Sequence, residues 1–383
     1  QDAVETDAGL VLAEGLTLGA YEFNAYKKTD NEKSKPKSVI IQCCDPDNLT
    51  SLKALKAGKI RADGTNLARN LGNTPANDLK PKDLAAEAKK IARQHKMECT
   101  VLEEKDMKKL GMGMLLGVSR GSREPAKLII MEYSHQQAKQ TIAIVGKGVT
   151  FDSGGISLKP GKNMDEMKFD MCGAAAVLGA MEVFGQVNPK LNIIAVIPTT
   201  ENLPGGEAQR PGDIVTAHNG KRVEILNTDA EGRLILGDAL SYVVKEFKPD
   251  AVLDLATLTG ACITALGHFT TGAITNNDAL MEQVRNAGNI SGDLVWQLPS
   301  YPEYGESIKG KYADLQNIGG GDSGTIIGGL FLEHFIDKTP WVHLDIAGTS
   351  WNVKHIGYQP NNGATGVGVR LLVDLVQKWK PLS

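Results

Sequence analysis

With 383 residues, 42% of them hydrophobic and 23% charged, the chain has the composition of an ordinary globular protein of one large or two smaller domains. A formal net charge of −3 supplies no basic footprint for nucleic acid, and no apolar run reaches the roughly 18 residues of a membrane span. There is no signal-like apolar stretch at the start, and the five scattered cysteines read as reduced, buried thiols of a cytoplasmic protein.

Residues 1–45 open on a helix-compatible segment and pass through an interrupted lysine run at 27–37 that reads as a solvated loop. They end in a short strand expected over 38–43. Good helix formers at helical spacing predict a connecting helix over 50–71. Pro81 starts a helix that runs to about His95, with Leu84, Ala85, Ala88 and Ile91 on one face. Strands are expected over 98–102, 127–133, 141–145, 192–198, 251–257 and 341–346. A short helix after the first of these, and helices over 170–184, 234–246 and 367–380, alternate with them or close the run. Such alternation predicts an α/β fold, a mostly parallel sheet sandwiched by helices. The 42 glycines cluster at 146–155, 205–220 and 319–329, marking tight loops where backbone approaches a ligand or another chain.

Ligands of such sheets gather at the carboxyl ends of the strands. Lys147 and Asp152 follow the strand ending at Val145; Thr257, Leu258 and Gly260 end another; Asp345 lies in a third. Asp152, Asp170, Asp229 and Glu231 are candidate metal ligands. Asp229 and Glu231 are two apart, so an extended segment would turn both to one face, continued by Arg233. Four carboxylates at one edge repel unless cations bridge them; Mg²⁺ and Mn²⁺ suit them by hardness, and Zn²⁺ also accepts carboxylate oxygens. Two such ions sharing carboxylates would clamp a water and lower its pKa to about 7. Ordinary alternatives stand beside this reading. A lone Asp at a strand end is often a turn or capping residue, Asp170 could cap its helix, and Lys147 could be an ion-pair partner of Asp152. Asp165 and Glu166 read as solvated first-turn acids.

Segments 145–155, 164–175 and 227–236 resemble the signature segments of the leucyl aminopeptidase family, the two-metal cytosol aminopeptidases. Asn227-Thr228-Asp229-Ala230-Glu231-Gly232-Arg233-Leu234 is similar to the family's diagnostic octapeptide. The resemblance runs from about residue 55 to the C-terminus, through Asn73-Thr74-Pro75-Ala76-Asn77, Ala256-Thr257-Leu258-Thr259-Gly260-Ala261 and His343-Leu344-Asp345-Ile346-Ala347-Gly348, with a shorter likeness over 14–21. It implies one divalent ion held by Lys147, Asp152, Asp170 and Glu231, and a second held by Asp152, Asp229 and Glu231. Asp152 and Glu231 would be the bridges, and the ions Zn²⁺, Mn²⁺ or Mg²⁺. A ligating Lys147 must be neutral, so its pKa has to fall well below about 10.4. Lys159 and Arg233 resemble the family's catalytic residues. Lys159 would stabilise the oxyanion as an ammonium, and Arg233 would hold a bicarbonate that relays protons. For Lys159 the plain alternative is a surface loop lysine beside Pro160. Met167, Asn227, Thr257, Leu258, Gly260 and Ala347 fall at substrate-binding positions, with Leu258 offering backbone contacts and core packing the alternative for Met167.

The resemblance thus implies an aminopeptidase acting on peptides with a free N-terminus, broad but favouring apolar first residues such as leucine, assembled as a cytoplasmic homo-hexamer. Ser350 stands where some members carry methionine, so a shorter or more polar pocket floor is expected. The family carries an α/β N-terminal domain ahead of the catalytic one. Residues 1–50 are therefore expected to be a truncated or reduced remnant with its linker, and 51–383 the catalytic domain. A two-metal phosphoesterase would usually recruit histidines, and none of the seven has ligand spacing here. A scaffold with a degenerate site would have lost some of Lys147, Asp152, Lys159, Asp170, Asp229, Glu231 and Arg233, and all are present.

Overall fold

Most side chains of segments 127–133 and 141–146 are apolar and buried, and successive ones serve opposite layers. Ile129, Met131, Ile142 and Ile144 join one core, whereas Leu128, Ile130, Ala143 and Val145 join the other. Strands buried on both faces need a covering layer on each, which is what places helices on both sides of the sheet.

The computed structural model describes residues 8–28, 39–40, 49–360 and 362–382. In chain order these form α1 (Ala8–Gly19), α2 (Leu49–Asn73), α3 (Pro81–His95), β1 (Glu98–Glu103), α4 (Glu104–Lys109) and α5 (Gly113–Ser119). Next come β2 (Lys127–Tyr133), β3 (Thr141–Gly146), β4 (Gly148–Asp152), a 3-10 turn over Met164–Phe169, α6 (Cys172–Val187) and β5 (Asn192–Asn202). They are followed by β6 (Ile214–Thr216), β7 (Arg222–Glu224), α7 (Gly232–Phe247), β8 (Ala251–Ala256), α8 (Gly260–Leu266), β9 (Thr271–Thr275) and α9 (Asp278–Ser291). The run closes with β10 (Val295–Gln297), α10 (Pro302–Gly305), β11 (Leu315–Gln316), α11 (Gly324–Glu333), β12 (Trp341–Asp345) and α12 (Val369–Gln377).

The main sheet has the order β1-β2-β5-β3-β8-β12-β9-β10, with β4 pairing beside β5. Its central strands β5, β3, β8 and β12 are mutually parallel, while β2 and β9 run against their inner neighbours. Residues of α2, α3, α6, α9 and α12 fill one core, and those of α5, α7 and α11 the other. The architecture is the expected α/β sandwich. A small second sheet, β11-β7-β6, lies outside it.

Three boundaries differ from the sequence reading for physical reasons. β5 continues to Asn202 because its polar end pairs with β4, a strand the reading did not foresee. α6 starts at Cys172, after the backbone at Asp170 has closed the 3-10 turn. The final helix starts at Val369, behind Gly366 and Gly368, both at positive φ. The strand expected over 38–43 falls outside the described residues except for Val39 and Ile40, which are exposed. Among the described residues Cys99, Cys172 and Cys262 are free thiols, and no helix is long and apolar enough to cross a membrane.

α1 is held against the body by charge. Glu14 pairs with Arg61 at 3.1 Å and Arg370 at 3.0 Å, and Arg61 also meets Asp374 at 2.8 Å. Buried charges persist only when paired in this way. α2 crosses α6 through two glycines: a Cβ on Gly64 would lie 2.6 Å from the carbonyl oxygen of Gly179 and 2.4 Å from Val183 Cγ2. Gly64→Ala should therefore destabilise the fold by ~1–3 kcal/mol, despite alanine's better helix propensity, through overpacking. Thermal denaturation of the variant checks this, and an unchanged or raised midpoint would refute the close-crossing argument.

Candidate metal centre

The central parallel strands deliver their carboxyl ends to one edge of the sheet, and the charged residues collect there. Lys147 directly follows β3. Its N–H donates to Leu255 O at 3.0 Å and its carbonyl accepts from Ala174 N at 2.8 Å, so β8 and the start of α6 fix its backbone. Its Nζ lies 2.8 Å from Asp170 Oδ2 and 2.8 Å from Glu231 Oε1, and donates to Thr257 O at 2.9 Å. Gly232 lets α7 start against this side chain: a Cβ there would sit 2.6 Å from the ammonium and displace it.

Asp152 ends β4. Its Oδ1 accepts from Gly154 N at 2.9 Å and Asn202 Nδ2 at 2.8 Å, while Oδ2 lies 2.8 Å from Lys159 Nζ. The same Lys159 Nζ is 2.5 Å from Asp229 Oδ1. Asp152, Asp229 and Glu231 each offer an oxygen within 4.8 Å of the others. The two motif segments are cross-braced as well. Ser157 N donates to Thr228 Oγ1 at 2.8 Å, and Thr228 N donates to Ser157 Oγ at 3.1 Å.

Asp229 and Glu231 do not share a face of an extended strand, as their spacing suggested. Residues 228–229 form a turn, and Glu231 already has helical backbone at the start of α7. Asn227 shapes this turn: its Oδ1 accepts from Asp229 N at 2.8 Å. Asp170 is no helix cap either, because its carboxylate takes Thr257 Oγ1 at 2.7 Å and faces Lys147. Glu166, expected to be solvated, accepts from Asn352 Nδ2 at 2.8 Å, and Phe169 beside it stacks on Trp351 at 5.6 Å. These contacts anchor the turn that carries the half-buried Met167.

Arg233 is buried in the first turn of α7, with Nη1 donating to Asn317 O at 3.0 Å and Nε making no hydrogen bond. Thr257, expected as a substrate contact, spends both its hydroxyl and its carbonyl on Asp170 and Lys147. Leu258 N and Ala347 N donate to Asp345 Oδ1 at 3.1 and 3.2 Å, so backbone contacts from Leu258 to a substrate would fall to its carbonyl. Gly260 is exposed at the start of α8. Sequence reasoning missed Asn202 and Asn317. The latter is fully buried, donates to Asn227 O at 2.6 Å and accepts from Leu226 N at 2.8 Å. A polar pair, Glu201-Asn202, closing an otherwise buried strand run was the available signal for the first; nothing in the sequence marked the second.

Four buried or half-buried carboxylates thus face two ammonium groups. Burial pushes the carboxyls of Asp170, Asp229 and Glu231 upward, and Asp152 adds repulsion to each. Burial alone would lower Lys147 and Lys159, but the surrounding acids outweigh it and hold both above the ordinary lysine value. The lowered Lys147 that ligation demands is therefore not a property of the chain alone; a cation's charge would have to reverse the balance. Burial brings Arg233 down to about 10, against the pull of Glu231 and Asp345. Asp170 Oδ2 and Asp229 Oδ1 are buried with only an ammonium beside each, at 2.8 and 2.5 Å. Excess negative charge and a set of converging oxygen donors suit divalent cations.

A mostly parallel α/β sheet with such a cluster at its strand ends is the architecture of a metallohydrolase. Residues 66–373 match the cytosol aminopeptidase family, catalytic domain, and the chain belongs to this family of metallo-exopeptidases. It is 49% identical to a probable cytosol aminopeptidase of Alkaliphilus oremlandii, an alignment covering 97% of this chain and 75% of that protein. A probable cytosol aminopeptidase of Desulforapulum autotrophicum is 45% identical, with 97% and 72% covered. Among solved structures, the bottromycin maturation enzyme BotP in complex with Mn superposes with a TM-score of 0.89 at 34% identity, covering 96% of this chain and 79% of that one.

Proposed function

We propose that the chain removes the N-terminal residue from peptides with a free amino end, using two divalent ions held at the strand ends. Lys147, Asp152, Asp170 and Glu231 would hold one ion, and Asp152, Asp229 and Glu231 the other. The observation that carries this is the convergence of Asp152, Asp229 and Glu231 within 4.8 Å, next to Lys159, in a member of this family. When bound, the ions would supply a water acidified to a pKa of about 7 and a Lewis acid for the scissile carbonyl. BotP, described in complex with Mn, supports manganese as one candidate beside zinc and magnesium.

The chain's own residues supply the remainder. Lys159 stays an ammonium at neutral pH, because Asp152 and Asp229 raise it against burial, and so can stabilise an oxyanion. Arg233 has a buried Nε–H without an acceptor, which suits a small anion such as bicarbonate, the proposed proton carrier to the leaving amine. Met167, Gly260 and Ala347 would line a pocket for an apolar first side chain such as leucine, with Asn227 holding the acid turn beside it. Ser350 donates its hydroxyl to Ile346 O at 2.7 Å, so it would lend that pocket space rather than polarity. The same reading takes 51–383 as the catalytic unit behind 1–50, and includes a cytoplasmic homo-hexamer like that implied by the family resemblance.

Hydrolysis of a leucine anilide with added Mn²⁺ or Zn²⁺ tests the proposal. Activity is expected to vanish on thorough chelation and to return with metal, and the N-acetylated anilide is expected to resist. Cleavage that survives chelation, or equal rates on both anilides, would reject it.

A further inference from the structure

We propose that Asn202 is a positioning residue that reserves Oδ1 of Asp152 for the protein and leaves Oδ2 alone to reach a metal ion. The inference rests on the reading of Asp152 as a ligand and goes beyond it by assigning each of its oxygens. A carboxylate oxygen has two lone-pair sites. On Oδ1 the Asn202 amide at 2.8 Å and the Gly154 N–H at 2.9 Å fill both. Oδ2 instead faces a cation, Lys159 Nζ at 2.8 Å. If Asp152 serves two ions, it must do so through that single oxygen.

The amide can impose this because it cannot move. Asn202 is 4% exposed, and its carbonyl accepts from both Ser153 N at 3.0 Å and Ser153 Oγ at 2.8 Å. A register shift between Val149 and Phe151 brings Asp152 level with Asn202 in the β4–β5 ladder. Bulges beside functional sites commonly re-aim a side chain in this manner. Space is tight on the remaining side: a Cβ on Gly155 would lie 2.7 Å from Asn202 Oδ1. The same Nδ2 also donates to Thr228 O at 3.0 Å, one residue before Asp229. One amide therefore sets the spacing between the acid that ends β4 and the acid turn that precedes α7. Outer partners of this kind orient ligands and tune metal affinity.

Mn²⁺ binding to the full chain, measured without substrate by calorimetry and by competition with a chelator, tests the assignment. Asn202→Ala and the near-isosteric Asn202→Leu are expected to bind Mn²⁺ about 10–100-fold more weakly, a loss larger than any fall in the metal-free thermal midpoint accounts for. Wild-type affinity in either folded variant would overturn the positioning role. So would a fall in affinity that only tracks a fall in the metal-free midpoint, since that marks a structural role. Asp152→Ala separates the two levels of the argument. If it loses Mn²⁺ while the Asn202 variants do not, the positioning role alone falls; if it too keeps wild-type affinity, the ligand reading fails with it.

Discussion

Glu231→Ala should lose bound metal and aminopeptidase activity together, with kcat/KM down by ~10³-fold or more, equivalent to ~4 kcal/mol of transition-state stabilisation. Glu231 is buried at the junction of both halves of the cluster, with Oε1 2.8 Å from Lys147 Nζ and an oxygen within 4.8 Å of those of Asp152 and Asp229. Truncation removes a shared donor, so both proposed ion positions weaken rather than one. It also leaves Lys147 Nζ with Asp170 and the Thr257 carbonyl, enough to keep its charge compensated and the fold intact. Metal content by elemental analysis, read beside the hydrolysis rate, decides the matter. Full metal stoichiometry with lost activity would show that Glu231 is not a bridging ligand, and retained activity would remove it from the chemistry altogether.

How much of this was legible in the sequence depends on the kind of force involved. The runs at 141–145 and 251–256 are apolar apart from Thr141 and Asp254 and rich in branched residues, and two-faced burial left little freedom to be anything but central strands. The helix from Pro81 announced itself by its proline and its apolar stripe. The residues gathered at the strand ends followed from that topology together with the family resemblance. Local side-chain chemistry was harder to see. Asp229 and Glu231 are neighbours in the cluster, yet not through strand alternation: Asn227 closes a turn on Asp229 N, and α7 begins three residues on. Glu166 looked solvated because its partner, Asn352, lies 186 positions away. Asn202 is marked only by the polar end of its strand run, and Asn317 by nothing. Their roles exist only once β4 lies beside β5 and the segment at 317 crosses the acid turn.

The two lysines show why composition and spacing could not by themselves separate a metal site from an ion-pair cluster. Lys147 sits between Asp170 and Glu231, and Lys159 between Asp152 and Asp229. Each ammonium meets a pair of acids at the distance an ion pair requires, yet four acids against two ammoniums leave the cluster negative. The surplus, rather than any single contact, is what calls for further cations. It also assigns the lysines different futures. Lys159 is partly exposed at the mouth of the cluster and can keep its proton, whereas Lys147 is fully enclosed and must compete with whatever cation enters.

Metal uptake should therefore release protons and tighten as pH rises. In the metal-free chain burial works to lower Lys147, but Asp170, Glu231 and Asp152 raise it further than burial lowers it, so it is an ammonium throughout the neutral range. An ammonium has no lone pair for a metal, so ligation by Lys147 requires that proton to leave. For one proton displaced per ion bound, apparent affinity rises about tenfold, or ~1.4 kcal/mol, for each pH unit. At acid pH the slope should steepen, because burial also raises the carboxyls of Asp170, Asp229 and Glu231, and any of them that is protonated must ionise before it can bind. Calorimetric titration with Mn²⁺ at several pH values, in buffers of differing ionisation enthalpy, counts the protons directly. Lys147→Met should remove the proton that Lys147 contributes, while the carboxyl-linked slope moves to higher pH, because the lost ammonium was holding Asp170 and Glu231 down. Uptake with no proton release near neutrality would instead show that Lys147 keeps its charge and serves as a permanent counter-ion, which would confine the metal ligands to the four carboxylates.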